Sequence, residues 1–527
     1  MNGNIAAISA QRAWSHGWLD RPVFHATDAV GPVAYTHGDV HAAAVRAARV
    51  IAAAGARTGD RVLIALPDSI DLVAVFLGTL RLGAVAVFAG PWQSAAEHAH
   101  VVADAGPVVV VCAPDLAGRF GAATVVTPVD LAAGRTADLA GRTADPAGPA
   151  GGSASGSASG PASVPAVVPG DAAAYVQYTS GTTGRPKGAV HRHSDPLAYR
   201  RAMAEQALRM TPDDVVFSVS KACFPYGLGN TVLFPLYTGA SSILWPDRPT
   251  VRGVVEQARR HRPTLLFATP ACYARLVAEG DAAAFASLRA AGSAGESLPP
   301  PLADRVESFL GCPLLDGLGM TETGHSFVSN TVTRRRRGTV GVVLPPYEIS
   351  VRKPSGPGRD GALLAEVAPG EQGVLHVRGP SVLLEYLGRP DRTAEVVGRD
   401  GWLRTGDLVH VDADGFVHLH GRVDDLETIG GVTISPWPAE LALGGHPAVA
   451  EAAVTVVNGE VRAFVVPQTG CPASAELAAS LRDLVRTELD LALTPRTVSF
   501  VPALPRAANG KLHRIRLRRV LLRHGGP

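Results

Sequence analysis

The stretch around which the rest of this sequence is organised runs from Tyr175 to Gly188 and reads YVQYTSGTTGRPKG. The mostly apolar run before residue 179 predicts a strand, and the glycines after it permit positive φ and close approach of backbone N–H groups to an anion. Hydroxyl groups and Lys187 complete the expected phosphate site. A Walker loop requires serine or threonine after its lysine, but Gly188 follows Lys187 and Pro186 precedes it. We therefore expect a phosphate loop unlike that of ordinary P-loop NTPases.

The composition is that of a globular protein with a small-molecule ligand. The chain has 527 residues, of which 46% are hydrophobic and 18% charged, and its formal net charge is +2. The length predicts roughly three domains or subdomains. The nearly balanced charge lacks the excess of positive residues that is typical of nucleic-acid-binding proteins, so we expect no nucleic-acid partner.

The cysteines and the apolar runs indicate a cytoplasmic location. The five cysteines are odd in number, scattered and without CxxC spacing, so neither a disulfide framework nor a zinc site is expected. The N-terminus has no basic segment before an apolar core, and the best apolar run, residues 72–88, is interrupted by Arg81. We expect neither an export signal nor a membrane span.

Lysine is rare in this chain. Only Lys187, Lys221, Lys353 and Lys511 occur among 49 basic residues, so arginine supplies nearly every generic positive charge. A lysine ammonium is a compact charge on a flexible stem, whereas a guanidinium is a planar fork. A lysine in this chain is therefore expected to have a specific function more often than usual. Lys187 and Lys511 both lie beside glycine motifs.

Alternating helix and strand patterns predict an α/β fold. Residues 41–54 and 71–82 have the apolar spacing of helices, whereas 61–66, 84–88 and 108–112 have that of short buried strands. Such alternation is typical of a parallel sheet, although core packing alone would account for all five elements.

A low-complexity segment at residues 131–170 interrupts this pattern. It is rich in Ala, Gly, Ser and Pro and repeats AGRTAD at 133–138 and 140–145. Such a composition predicts a disordered surface insertion, for which we expect no catalytic role.

Several later loops combine glycine with hydroxyl, carboxylate or aromatic side chains after an expected strand. They read KACFPYGLGN at 221–230, AGES at 294–297, DGLGMTETGH at 316–325 and LRTGD at 403–407. Ligands of open α/β sheets gather at such strand ends. The aromatics of the first loop can line an apolar pocket, and plain core packing accounts for them equally well.

Together with GR at 421–422 and GK at 510–511, these motifs resemble the adenylate-forming superfamily of acyl-CoA synthetases, luciferases and peptide-synthetase adenylation domains. The resemblance covers nearly the whole chain, and FPYGLGN at 224–230 is most similar to the benzoate-CoA ligase group. It implies a large N-terminal α/β domain of parallel-sheet subdomains plus a β-rich subdomain, and a small mobile α+β C-terminal domain. Their expected bounds are 1–421, a hinge at 422–424, and 425–527.

The resemblance implies two half-reactions. A carboxylate attacks the α-phosphate of Mg·ATP to give acyl-adenylate and pyrophosphate, and a thiol then displaces AMP to give a thioester. Lys187 would add charge at the phosphates, Glu322 would supply a hard oxygen for Mg²⁺, and Lys511 would bridge the attacking carboxylate and the α-phosphate. The phosphates would be held by Thr179, Ser180, Gly181, Thr182, Thr183 and Gly184.

The resemblance also implies how AMP is held. Asp407 would accept both ribose hydroxyls, Arg422 would reach ribose or phosphate, and Thr321 would lie near the α-phosphate. Gly295, Glu296 and Ser297 would border the adenine, and the remaining nucleotide-binding residues would be Asp316 and Gly317.

The C-terminal domain would swing about Asp424 between the half-reactions and bring Gly431 to the acceptor's pantetheine. Its neighbours alone are equally compatible with Asp424 as a plain turn aspartate. The acceptor is either coenzyme A or the phosphopantetheine of an acyl carrier protein, and the sequence leaves that choice open.

The expected acid is benzoate or a small substituted benzoate. Amino-acid-activating relatives place an aspartate after the residue that matches Phe224, and Pro225 stands there instead, which disfavours an α-amino acid. Aromatic walls and a rigid proline suit a flat ring. The expected pocket residues are Phe224, Pro225, Tyr226, Gly227, Phe234, Gly319 and His325.

The sequence disfavours two other functions. A serine hydrolase is disfavoured because no G-x-S-x-G elbow occurs in the chain. A non-catalytic adenylate-binding protein is disfavoured by the presence of Lys511, Glu322 and Asp407.

Overall fold

The computed structural model describes residues 3–27, 31–121, 123–133, 165–179, 185–353, 365–429, 432–457, 459–489, 493–506, 512 and 517. Most of the expected insertion at 131–170 lies outside these ranges, as does the loop at 180–184. Within them the protein is a mixed α/β structure with two large sheets, a four-stranded sheet and a small C-terminal unit.

The first large sheet has seven strands and leads into the phosphate loop. The strands are β3 (Arg61–Ala65), β4 (Val85–Phe88), β5 (Val109–Cys112), β6 (Thr124–Val126), β7 (Ala173–Tyr178), β8 (Gly188–Arg192) and β18 (Glu385–Tyr386). They lie in the order β18-β8-β7-β4-β3-β5-β6, parallel from β7 to β6 and antiparallel at β8 and β18. The expected short buried strands are confirmed, since β4 and β5 are buried along their whole length.

The second large sheet has nine strands. They are β1 (Pro22–Thr27), β2 (Pro32–Thr36), β9 (Val215–Ser218), β10 (Ser241–Ile243), β11 (Leu265–Ala268), β12 (Ala290–Ala294), β13 (Leu314–Gly319), β14 (Ser326–Ser329) and β15 (Val342–Val343). The order is β15-β14-β13-β12-β11-β9-β10-β1-β2, parallel from β13 to β1. The AGES and DGLGMTETGH motifs therefore lie at neighbouring carboxyl ends, those of β12 and β13.

The described α-helices lie mostly in the part of the chain that contains the two large sheets, and the last two belong to the C-terminal unit. The helices are α1 (Ile5–Ser15), α2 (His37–Ala53), α3 (Ile70–Arg81), α4 (Ala95–Ala105), α5 (Pro128–Ala132), α6 (Asp195–Tyr199), α7 (Pro225–Gly227), α8 (Phe234–Thr238), α9 (Val251–His261), α10 (Pro270–Glu279), α11 (Pro300–Leu310), α12 (Pro390–Val396), α13 (Trp437–Gly445) and α14 (Ala475–Glu488). The helix α2 begins earlier than expected because Thr36 caps it. Thr36 Oγ1 accepts from the Asp39 N–H at 3.1 Å, and Asp39 Oδ2 accepts from the Thr36 N–H at 2.9 Å.

Residues 231–237, whose sequence predicts a single helix, belong instead to two helical segments of different type. The chain forms a π-helical turn over Leu228–Leu233 before α8. Pro235 has no N–H to donate to the carbonyl of Thr231, and Ser242 Oγ donates to that carbonyl instead, at 2.5 Å. Missing one α-helical hydrogen bond, the segment adopts the wider turn.

The expected β-rich subdomain and α+β C-terminal unit are both present. The former is an antiparallel sheet in the order β16-β17-β19-β20, made of β16 (Glu348–Arg352), β17 (Gly373–Arg378), β19 (Leu403–Val411) and β20 (Val417–Arg422). The latter contains β21 (Glu427–Ile429), β22 (Val432–Ile434), β23 (Val449–Val457), β24 (Glu460–Pro467) and β25 (Thr497–Phe500). Residues of α13 and α14 share one apolar core with β23 and β24.

Candidate active site

The base of the phosphate loop is closed by its two ends. The N–H of Thr179 donates to the carbonyl of Lys187 at 2.9 Å, and the N–H of Lys187 donates to Thr179 Oγ1 at 3.4 Å. The tip residues Ser180, Gly181, Thr182, Thr183 and Gly184 lie outside the described residues. The described ends show that the loop joins β7 and β8 as a hairpin.

Tyr386 connects Lys187 with Glu322. The ammonium of Lys187 lies 4.5 Å from the centroid of the Tyr386 ring, and the Tyr386 hydroxyl donates to Glu322 Oε1 at 2.6 Å. Burial lowers the pKa of Lys187, and the Glu322 charge opposes that shift. A cation and a carboxylate are thus held on one aromatic ring without neutralising each other by direct contact.

Thr321 is positioned by a buried histidine. His191 donates from Nε2 to the carbonyl of Thr321 at 2.7 Å, and its Nδ1 lies 3.0 Å from Asp195 Oδ2. The Tyr175 ring stacks on His191 with centroids 5.0 Å apart. Because Tyr175 belongs to β7 and His191 to β8, the sheet that carries the phosphate loop also fixes the Thr321 turn.

Asp407 and Arg422 lie opposite each other on β19 and β20. Arg422 Nη1 donates to Asp407 Oδ1 at 2.8 Å, and Arg422 Nη2 donates to the carbonyl of Thr405 at 3.0 Å. The Asp407 charge, with further help from Glu322, raises the pKa of Arg422. The predicted ribose and phosphate residues are therefore assembled, and Glu322 lies within electrostatic reach of them.

The predicted adenine loop follows β12. Gly295 has φ of +93°, which favours glycine at this position. Glu296 Oε2 accepts from the Ala271 N–H at 3.3 Å, and Glu296 Oε1 accepts from Arg506 Nη1 at 2.6 Å. Ser297 Oγ is buried, and no residue that the structure describes forms a hydrogen bond with it.

Asp316 pairs in register with Ser293 of β12. Burial raises the pKa of the Asp316 carboxyl well above its usual range. At Gly317, a Cβ would lie 3.1 Å from Ser329 Oγ, so the next strand passes close by.

The predicted aromatic pocket surrounds His325. The His325 ring centroid lies 5.2 Å from that of Tyr226 and 5.0 Å from that of Phe234, and it stacks on Tyr199 at 5.9 Å. Burial lowers the pKa of His325 to about 3, so the ring is neutral at physiological pH. The apolar walls and the neutral imidazole suit a flat aromatic ligand.

The other predicted pocket residues shape its edges. Phe224 is partly buried against the core, and Pro225 begins α7. At Gly227 a Cβ would lie 2.0 Å from the Lys221 carbonyl, and at Gly319 one would lie 2.5 Å from the Ser326 Cα. Both glycines are thus required by close backbone approaches.

The donor set near Glu322 fits a magnesium ion delivered with ATP. Among the residues the structure describes, no cluster of three or more His, Cys, Asp or Glu side chains could hold a metal. Mg²⁺ commonly takes one or two carboxylates and completes its shell with phosphate oxygens and water. Glu322, 8% exposed, would be the protein ligand.

Two predicted residues, Lys511 and Gly431, lie outside the described part of the chain. Asp424 lies in a 3₁₀ turn over Val423–Asp425, directly after β20. Its role as hinge stays a prediction.

Sequence reasoning missed four residues of this site: Tyr386, His191, Asn230 and Arg506. Tyr386 and His191 stand outside any recognisable motif, and only the folded chain brings them to Glu322 and Thr321. Asn230 ends the KACFPYGLGN motif and is fully buried, whereas Arg506 precedes the GK motif and pairs with Glu296; neither the burial nor the ion pair could be read from neighbouring residues.

Within the described ranges, no helix is long and apolar enough to cross a membrane.

Comparison with known proteins identifies the family. Residues 12–387 match the AMP-binding enzymes, and residues 439–511 match the AMP-binding enzyme C-terminal domain. The p-hydroxybenzoic acid–AMP ligase of Mycobacterium tuberculosis is 40% identical over 98% of this chain and 69% of its own length. The benzoate–CoA ligase of Thauera aromatica is 34% identical over 88% of this chain and 86% of its own.

The fold agrees with a solved structure. A benzoate CoA ligase from Burkholderia xenovorans superimposes with a TM-score of 0.84 at 29% identity, covering 98% of this chain and 99% of that one. The chain therefore belongs to the family of AMP-binding enzymes.

Proposed function

We propose that this enzyme activates benzoate or a small substituted benzoate, first as the aryl-adenylate and then as a thioester, with release of AMP and pyrophosphate. One observation carries the proposal. Glu322 and His325 lie in the single connection between β13 and β14, so one short turn joins the phosphate side of the site to the aromatic pocket.

In the first half-reaction, the polar residues of the site would hold the nucleotide and stabilise the negative charge on the reacting groups. Lys187 would offset the charge of the departing pyrophosphate, and Asp407 would hold the ribose. Lys511 would pair with the attacking carboxylate and the α-phosphate as charge develops there. Magnesium, bound through Glu322, would supply Lewis-acid polarisation of the phosphate oxygens.

The pocket favours a ring with a polar substituent. The side-chain amide of Asn230 and both ring nitrogens of His325 are buried without a hydrogen bond of good geometry within the described chain, and Tyr226 interacts with both residues. The Tyr226 hydroxyl oxygen would be 3.1 Å from a Cβ atom placed on Gly292. Since buried polar groups are ordinarily paired, a ring hydroxyl would satisfy them. The name of the 40% identical relative, a p-hydroxybenzoic acid ligase, supports this choice.

We propose coenzyme A as the thiol acceptor, supported by relatives named as benzoate–CoA ligases. No feature of the described residues favours the alternative, an acyl carrier protein. A reducing compartment such as the cytoplasm is consistent with five free cysteines.

The test is ATP–pyrophosphate exchange with a panel of acids. Benzoate and hydroxybenzoates should support exchange, while long-chain fatty acids and α-amino acids should not. Glu322→Gln should lower the rate about 100-fold with the preferred acid, because it removes the carboxylate charge proposed to bind Mg²⁺. Exchange with fatty acids but not with benzoates would refute the proposal.

A further inference from the structure

Arg506 joins the C-terminal unit to the predicted adenine loop. Its Nη1 donates to Glu296 Oε1 at 2.6 Å, and its Nη2 donates to Glu451 Oε2 at 2.8 Å. Glu451 belongs to β23 of the C-terminal unit, whereas Glu296 follows β12 of the nine-stranded sheet. We call these three residues the Arg506 bridge.

Glu296 is held ready for this contact. Its other carboxylate oxygen accepts from the N–H of Ala271, in the first turn of α10. The amino end of a helix favours a negative charge. This contact therefore helps to hold the Glu296 carboxylate in place independently of the C-terminal unit.

Arg506 also anchors the base of the terminal motif. Its backbone pairs in antiparallel fashion with Leu512, the residue that follows Lys511 in the sequence. Docking of Arg506 on Glu296 therefore holds its pairing partner Leu512 on the side of the C-terminal unit that meets the Glu296 loop.

We propose that Arg506 is a positioning residue for adenylation: its ion pair with Glu296 selects the domain orientation of the first half-reaction and must open for the second. The inference rests on the proposed function. The inference adds to that function a named contact that sets the balance between the two domain orientations.

Charge explains why one arginine can have this effect. Without the guanidinium, Glu296 and Glu451 would face each other as like charges and push the two units apart. The three side chains are 18–27% exposed, so screening by solvent limits the effect. We expect a change of about ten-fold in the balance of orientations, within the usual range of coupling between sites.

The experiment separates the half-reactions. Exchange of pyrophosphate measures adenylation, and transfer from chemically prepared benzoyl-adenylate to coenzyme A measures the second step. Arg506→Ala should slow the first about ten-fold and leave the second unchanged or faster. Arg506→Lys, which keeps the charge, should recover part of the loss. Equal loss in both steps, or loss in neither, would overturn the inference.

Two matched variants test the contact itself. Arg496→Ala removes an arginine that pairs with Glu460 inside the C-terminal unit and should change neither step. A double-mutant cycle of Arg506→Ala with Glu296→Gln should be non-additive, because the second change removes a pair already broken. Additive losses would mean that Arg506 does not act through Glu296.

A readout without catalysis distinguishes failure of the inference from failure of the proposed function. Fluorophores at the exposed positions Arg252 and Arg486, in α9 and α14, report the distance between the two units by energy transfer. Arg506→Ala should broaden the distance distribution of the substrate-free enzyme, and Arg496→Ala should not. An unchanged distribution would overturn the inference even if adenylation is confirmed, whereas absent exchange with a broadened distribution would refute only the proposed function.

Discussion

At Gly229 the backbone passes directly against the imidazole of His325. A Cβ there would lie 2.5 Å from His325 Cδ2 and 3.4 Å from Phe234 Cζ. His325 cannot retreat, because Tyr199 and Tyr226 flank it on other sides. The absence of a side chain at Gly229 thus leaves the room that the His325 imidazole occupies.

Gly229→Ala should therefore lower kcat/KM for benzoates and destabilise the protein by about 1–3 kcal/mol, the usual cost of overpacking a buried site. The measurement is exchange kinetics together with thermal unfolding. Gly118→Ala is the matched control, because a Cβ at Gly118 would meet no described atom within 4 Å. Normal kinetics in Gly229→Ala would contradict the assigned pocket.

Residue types at the site could be read from the sequence, but several of their partners could not. Lys187, Glu322, Asp407 and Arg422 were expected from motifs, and the structure brings them within reach of one another. Their partner Tyr386 is a lone tyrosine in a two-residue strand. Its contact with Glu322 depends on packing β18 against β8, which no local pattern encodes.

At the scale of elements, local signals predicted regular structure and failed where a distant residue intervened. The buried strands at 61–66, 84–88 and 108–112 were found within a residue or two because apolar runs specify them. The π-helical turn before α8 was missed because it needs Ser242, from another strand, to take over the Thr231 carbonyl. Such turns are frequent at functional sites, and this one carries Gly229 and Asn230.

The turn at Val423–Asp425 is the element whose role is best tested by stiffening it. Asp424→Pro restricts the backbone and should spare pyrophosphate exchange while abolishing thioester formation. Asp424→Ala, which leaves the backbone free, should retain both. Equal loss of both half-reactions in the proline variant, at unchanged thermal stability, would remove Asp424 as the hinge.

At the scale of the whole molecule, several histidines are buried in neutral form. Burial lowers the pKa of His37 and of His193 to about 4. A histidine whose pKa is lower in the folded state binds fewer protons than in the unfolded chain. Its contribution to stability is therefore complete above pH 6.5, the ordinary value, and is lost as the pH falls towards the folded pKa.

His37→Phe should consequently make the protein less sensitive to acid. His37 is fully buried. When the pH falls from 7.5 to 5.5, which is one unit below the unfolded pKa, the free energy of unfolding of the parent should drop by about 1.4 kcal/mol more than that of the variant. Thermal midpoints of both proteins at the two pH values measure the gain. His16→Phe, at an exposed position, is the control, and an equal acid response in all three proteins would contradict the assignment.

The site as a whole was beyond the sequence because it joins segments that are far apart in the chain. His191 and Thr321 are 130 positions apart, and Arg506 and Glu296 are 210 apart. Order along the chain indicates which motifs a site contains, whereas their meeting is decided by sheet order and by the docking of the C-terminal unit.

The Arg506 bridge has a thermodynamic consequence. Because it ends on Glu296, beside the expected adenine, nucleotide affinity and domain orientation are linked. Any preference that ATP has for the docked orientation must be matched by an equal effect of docking on ATP affinity. If the aryl-adenylate left by the first half-reaction has a weaker preference for the docked orientation than ATP has, its formation favours release of the C-terminal unit, and a single salt-sensitive contact helps to set the order of the two steps.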